Sequence, residues 1–273
     1  MNILLPTDFS QNSWNAIAYA VDFFKNIPAN FYIIHINNQE SEELIYSGNV
    51  IEKKKTNTVI QSFQHLLQKL QQQKTNTKHH FYTSIENGNF IESIRLHVAE
   101  KHINFIVMGT QGNSNFKEAT VGSHTTEVIT KVKCPILVIP ENARFRSVTE
   151  IAFPTDFNTG YKTKILSTLK RVSRFNNSAL SVLYVSKKSE ELSEVQQNNK
   201  LFLQGQLQDI PHSFHYKVNS TLEEAVQSFV VQHEMQMIAM MAKNLNFFQH
   251  ILFHPVAKKI SYHKEIPFLV LHE

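Results

Sequence analysis

The chain has 273 residues, enough for about two domains at roughly 100–200 residues each. Hydrophobic residues make up 42% and charged residues 18%, so core material is ample and an intrinsically disordered chain is excluded. The net charge of +4 comes from scattered Lys and Arg without a basic stripe interleaved with aromatics, so nucleic acid is not an expected partner, and a single cysteine, Cys134, excludes an internal disulfide or a thiolate metal cluster.

Taken in chain order, residues 2–6 read as a short apolar strand and 12–25 as a helix. Residues 31–36, Phe-Tyr-Ile-Ile-His-Ile, form the continuous apolar run of a strand buried on both faces. Val59, Ile60, Phe63, Leu66, Leu67 and Leu70 stand at helical spacing, so roughly 50–73 is an amphipathic helix, with Lys53, Lys54 and Lys55 on a solvated face. Strand 79–85, helix 90–101, strand 103–108, helix 123–131 and strand 135–139 follow. The second half reads as strand 150–153, helix 160–175, strand 179–185, helix 189–208, strand 213–218, helix 221–233, strand 236–241, helix 255–263 and strand 267–271. Parallel strands need crossover helices on their faces, so each half is expected to be a doubly wound five-stranded parallel sheet of order 3-2-1-4-5.

The halves are copies. Ile3-Leu4-Leu5-Pro6-Thr7-Asp8-Phe9 recurs as Ile151-Ala152-Phe153-Pro154-Thr155-Asp156-Phe157, an offset of 148. Ile106-Val107-Met108 matches Ile238-Ala239-Met240, and Cys134-Pro135-Ile136-Leu137-Val138 matches Ile266-Pro267-Phe268-Leu269-Val270, both at an offset of 132. The first copy is therefore 16 residues longer between the anchors, and the surplus is expected around residues 40–60. The domains are read as 1–141 and 148–273.

After Met108 come Gly109, Gly112, Gly122 and Ser123 in the pattern G-x2-G-x9-G-S, which holds three of the seven glycines in the chain. Glycine there supplies φ > 0 and removes the Cβ that would hold a phosphate off the backbone. Gly122-Ser123 opens a helix whose first N–H groups are unpaired, a place for an anion. The same residues are compatible with a flexible loop and a Ser-capped helix. The loop is neither a Walker A motif nor a dinucleotide fingerprint. If strands one and four flank the switch point, Asp8 and Gly109 face each other across one crevice. Asp8 then accepts hydrogen bonds from an adenine amino group or a ribose hydroxyl; the alternative is a helix N-cap, a role Ser10 could also fill.

Pro6-Thr7-Asp8, Val107-Met108-Gly109, the glycine pattern and Cys134-Pro135-Ile136-Leu137-Val138 closely resemble the universal stress protein family, and the repeat extends the resemblance over nearly the whole chain as a tandem member. The resemblance implies an ATP, ADP or AMP site in the first half. Gly109, Gly112, Gly122 and Ser123 would hold ribose and phosphates, with Met108 ending the strand that leads into the loop. Pro6, Thr7 and Asp8 would meet the nucleoside, Ile36 would flank the adenine, and His124 would add its backbone N–H. Mg could accompany the nucleotide. The sequence departs from the family at Gln111 and at Gly88-Asn89-Phe90, where a Gly-x-Pro turn is usual.

In the second half Gly109, Gly112, Gly122 and Ser123 become Met241, Asn244, His254 and Pro255. Side chains fill the phosphate space and Pro255 has no N–H, so this half is expected not to bind ATP in the family manner. His250, His254 and His263 match no metal-site spacing. Cys134 reads as a small buried hydrophobe, and Trp14 as a core or interface residue. No catalytic base, acidic pair or nucleophile stands beside the loop, so a binder that senses nucleotide and acts through a protein partner is expected; a slow ATPase and a non-binding scaffold are the alternatives. The resemblance also implies an internal pseudo-dimer through strands 135–139 and 267–271, and is compatible with a further homodimer. With no signal-peptide pattern and no window near ~18 apolar residues, a cytoplasmic protein away from membranes is expected.

Overall fold

The computed structural model describes residues 1–37, 50–72, 76–110, 122–186, 191–242 and 265–272, with side chains from residue 57 onward in the second stretch. The first half runs β1 Asn2–Pro6, α1 Gln11–Phe23, β2 Ala29–Asn37, α2 Val50–Gln72, β3 His79–Asn87, α3 Phe90–Glu100, β4 Phe105–Gly109, α4 Ser123–Lys131 and β5 Ile136–Ile139. The second runs β6 Glu150–Thr155, α5 Thr163–Asn176, β7 Ala179–Ser186, α6 Glu194–Leu207, β8 His212–Val218, α7 Leu222–Gln232, β9 Met237–Met241 and β10 Phe268–Leu271. The helix expected over 255–263 lies outside the described residues.

All ten strands join one sheet in the order β3-β2-β1-β4-β5-β10-β9-β6-β7-β8. Each half has the expected order 3-2-1-4-5 with parallel pairing, and the strand order is the same read from either edge. The halves meet through β5 and β10, which pair antiparallel with Phe268 opposite Val138 and Val270 opposite Ile136. Each half thereby covers an edge that would otherwise present unpaired backbone groups.

Alternation along β1 sends Ile3 and Leu5 to one face of the sheet and Leu4 to the other. The first face is covered by α1, α2, α5 and α6, through residues such as Ile17, Phe63, Leu166 and Leu203. The second is covered by α3, α4 and α7, through Ile94, Val128 and Val226. Both cores run across the two halves. Phe175 of α5 packs its ring 5.9 Å from Phe23 of α1 and 5.7 Å from Phe24, the C-cap of that helix. Among the described residues, no helix is long and apolar enough to cross a membrane.

Several element ends shift by a few residues from the sequence expectation, the start of α6 for an identifiable local reason. Helix α6 starts at Glu194 rather than near 189, because Ser193 and Gln196 form a capping box that satisfies backbone N–H groups reciprocally. The extra length of the first copy is largely helix: α2 has 23 residues and α6 has 14.

Candidate nucleotide site

Pro-Thr-Asp-Phe builds the same turn twice. Thr7 Oγ1 accepts from Phe9 N at 3.0 Å and Asp8 Oδ1 accepts from Ser10 N at 3.0 Å. Thr155 Oγ1 accepts from Phe157 N at 3.0 Å and Asp156 Oδ1 from Asn158 N at 2.9 Å. The turn holds Phe9 at φ 61° and Phe157 at φ 57°, a left-handed conformation costly for a side chain of this size. Asp8 is thus a turn former as well as a cavity residue. The helix cap is Ser10, whose side chain accepts from Ser13 N.

The carboxyl ends of β1, β2 and β4 open on a cavity of about 310 Å³. Its apolar wall is Pro6, Ile34, Ile36 and Met108, and its polar rim includes Thr7, Asp8, Ser13 and His35. Gly109, Gly122, Ser123, His124 and Thr125 close the side at the start of α4. Every expected site residue among those described lines this one cavity, and Asp8 and Gly109 share it. Gly112 lies outside the described residues.

Backbone geometry keeps one of the two reasons for the glycines at Gly109 and Gly122. Gly109 ends β4 in register with Ile139. Gly122 is the N-cap of α4 at φ −66° and ψ 158°, an extended conformation open to any residue. Neither requires a left-handed backbone; what glycine contributes is the missing Cβ. Gly122 also provides no side-chain cap to α4. Among the described residues no side chain caps the first turn, so its N–H groups and the positive end of the helix dipole can serve a ligand. The backbone there is fixed by Gly122 N–H donating to Thr110 O and by Thr125 Oγ1 donating to Gly109 O at 2.8 Å.

Five cavity residues were not singled out from the sequence: Ser13, Ile34, His35, Phe90 and Thr125. Ser13 Oγ lies 3.0 Å from Thr7 Oγ1. His35 Nδ1 lies 2.8 Å from Thr7 O, tying β2 to the turn. Phe90, at the start of α3, stacks on exposed His124 at 4.2 Å between ring centroids and 16° between planes. Gly88-Asn89-Phe90 replaces the proline turn with a capped helix start: Gly88 takes φ 135°, and Asn89 Oδ1 accepts from Ile91 N and Glu92 N.

At the corresponding place in the second half, larger side chains stand among the described residues. Met241 ends β9 opposite Leu271, as Gly109 ends β4 opposite Ile139, and it is buried. At the offset of 148, Ser13 becomes Tyr161, a buried ring whose hydroxyl lies 2.6 Å from Thr155 Oγ1. Burial pushes the Tyr161 phenol well above its ordinary range. Asp156 engages Asn158 with both oxygens, at 2.9 and 3.0 Å. From α6, Gln196 Nε2 donates to Asp156 O and Asn199 Nδ2 donates to Phe157 O. Asn244, His254, Pro255 and the histidines 250 and 263 lie outside the described residues. Among the described residues, no group of three or more His, Cys, Asp or Glu could hold a metal. Cys134 is buried, donates to Ile103 O, and has its thiol pushed up to about 12 by burial, as expected of a small hydrophobe.

Comparison with known proteins agrees with this fold. A universal stress protein of Methanocaldococcus jannaschii is 28% identical over 151 residues, which span 50% of this chain and 93% of that protein. The solved structure of a universal stress protein from Archaeoglobus fulgidus superposes with a TM-score of 0.72 at 17% identity, covering 99% of this chain and 98% of that one. A functionally unknown protein from Pseudomonas aeruginosa superposes with a TM-score of 0.56 at 10% identity, covering 99% and 92%. These structural likenesses speak for the fold across both halves. The description "Universal stress protein family" matches residues 1–140, about half of the sequence, and the chain belongs to that family.

Proposed function

We propose that the chain binds one adenine nucleotide, ATP or its ADP and AMP relatives, in the cavity of the first half, and that the second half is a non-binding partner domain. The domains are 1–141 and 148–273. The observation that carries this reading is the joining of an apolar slot to an uncapped helix N-terminus in one cavity. The base fits the wall of Pro6, Ile34, Ile36 and Met108. Asp8 accepts from the nucleoside, and the phosphates take the N–H groups of Ser123 and His124, where glycine leaves room. The volume lies at the lower end of the range of roughly 300–1,000 Å³ seen for small-molecule sites.

The nucleotide then acts as a signal read by a protein partner in a stress response, rather than as a substrate. Asp8 stands at the nucleoside end, away from a γ-phosphate. Calorimetric titration with ATP, ADP and AMP on the intact chain and on Gly112→Val/Gly122→Val tests the site; unchanged binding in the double variant would sink it. A phosphate-release assay on the same samples separates a binder from a slow ATPase.

A further inference from the structure

A second cavity, of about 320 Å³, lies where the halves meet, at the end of the sheet opposite the nucleotide site. Asn104 and Lys133 line it from the segments that lead into β4 and β5; Lys164, Thr168 and Arg171 line it from α5. The α5 residues are spaced i, i+4 and i+7, which puts them on one helical face.

The charge in this cavity is one-sided. No ion pair of the described residues involves Lys133, Lys164 or Arg171. On the same helix, Lys170 and Arg174 share the carboxylate of Asp209. Arg171 lies with its guanidinium 5.4 Å over the Phe105 ring, and its Nε is buried without a hydrogen-bond partner. Burial lowers the Arg171 pKa, a cost an anion would relieve. Asn104 Oδ1 accepts from Asn2 N at 2.8 Å, so the other end of its amide is a donor. His272, two residues past the Val270–Ile136 pair and so across from Cys134, is buried with Nε2 unpartnered. Among the described residues no carboxylate lines the cavity, so an anion there would relieve the mutual repulsion of Lys133, Lys164 and Arg171.

The geometry points to a binding site for a small polyvalent oxyanion of phosphate type between the two halves, held by Lys133, Lys164 and Arg171. A single carboxylate would offset one of three charges. A phosphate or pyrophosphate carries more charge and matches the planar fork of an arginine. Because residues come from both halves, occupancy also ties the halves together.

The test is calorimetric titration of the intact chain with inorganic pyrophosphate at low ionic strength. The panel is wild type, Lys133→Gln/Lys164→Gln, Arg171→Lys and the distant control Lys78→Gln. Wild type should bind, the double lysine variant should lose at least tenfold in affinity, Arg171→Lys should lose severalfold, and the control should stay within twofold. Thermal melting without ligand should leave the exposed-lysine variant at or above the wild-type midpoint, which shows that it folds. No binding by wild type at millimolar pyrophosphate overturns the proposal. So does equal binding by the double variant, which would put the anion in the nucleotide cavity, or an equal loss in the control, which would make the effect one of net charge.

Discussion

The two halves differ most at the point where they are built from the same turn. Thr7-Asp8-Phe9 and Thr155-Asp156-Phe157 have matching hydrogen bonds and matching left-handed phenylalanines. In front of the first turn stand Ser13 and Gly109, and a cavity; in front of the second stand Tyr161 and Met241, both buried. The turn is therefore common to both halves, and what differs beside it, among the described residues, is side-chain volume. An aspartate shared by both halves is poor proof of a site; a small residue present in one half only is better proof.

The largest expected effect comes from transplanting bulk: Gly109→Met with Gly122→Val should weaken ATP binding ~100-fold or more, close to 3 kcal/mol, with unchanged circular dichroism. Calorimetry that finds less than a tenfold loss would show that the glycines do not make the site.

A difference of similar size separates the halves in acid. Burial, with Lys164 and Lys133 nearby, lowers His272 from 6.5 to about 4, whereas its counterpart in the first half, Pro140, cannot titrate. The unfolded chain takes up this proton first, so stability should fall as pH drops from about 6.5 to about 4, by about 3 kcal/mol in all. Urea unfolding of wild type and His272→Gln across that window should show a smaller pH dependence in the variant. Parallel curves would mean that the histidine is not buried neutral.

Ser13→Tyr copies the second half into the first and should cost about 10–100-fold in nucleotide affinity, that is ~1.4–2.8 kcal/mol, while the fold is kept. Full binding by this variant would show that the ring does not block the cavity. Smallest of all, Asp8→Ala and Asp156→Ala should each lower stability by about 1 kcal/mol through the lost turn bond. Only Asp8→Ala should also weaken nucleotide binding. Equal behaviour in both assays would reduce Asp8 to a turn former.

The architecture was legible because the signals were periodic and repeated. Continuous apolar runs such as Phe31–Ile36 marked buried strands, and the shared ends of the two copies implied one topology used twice. The cavity was legible where residues sit at strand ends, as Pro6, Ile36 and Met108 do. Ser13 and Thr125 were missed because each lies inside a helix, and only the three-dimensional turn of α1 and α4 brings them to the strand ends. The repeat held a signal for Ser13, since the offset of 148 sets it against Tyr161, a change from small to large. His35 was passed over because its ring points to a backbone carbonyl, a partner with no sequence pattern. Of the two reasons for the glycines, only the missing Cβ applies at Gly109 and Gly122, because a strand end and an extended N-cap need no positive φ; Gly112 lies outside the described residues.

On the proposed function, the chain takes up one nucleotide, held by the first half. Native mass spectrometry of the intact chain at saturating ATP tests it most directly. A single bound nucleotide per chain, absent in Gly109→Met/Gly122→Val, is the expected result. Two nucleotides per chain, or one that persists in that variant, would contradict it.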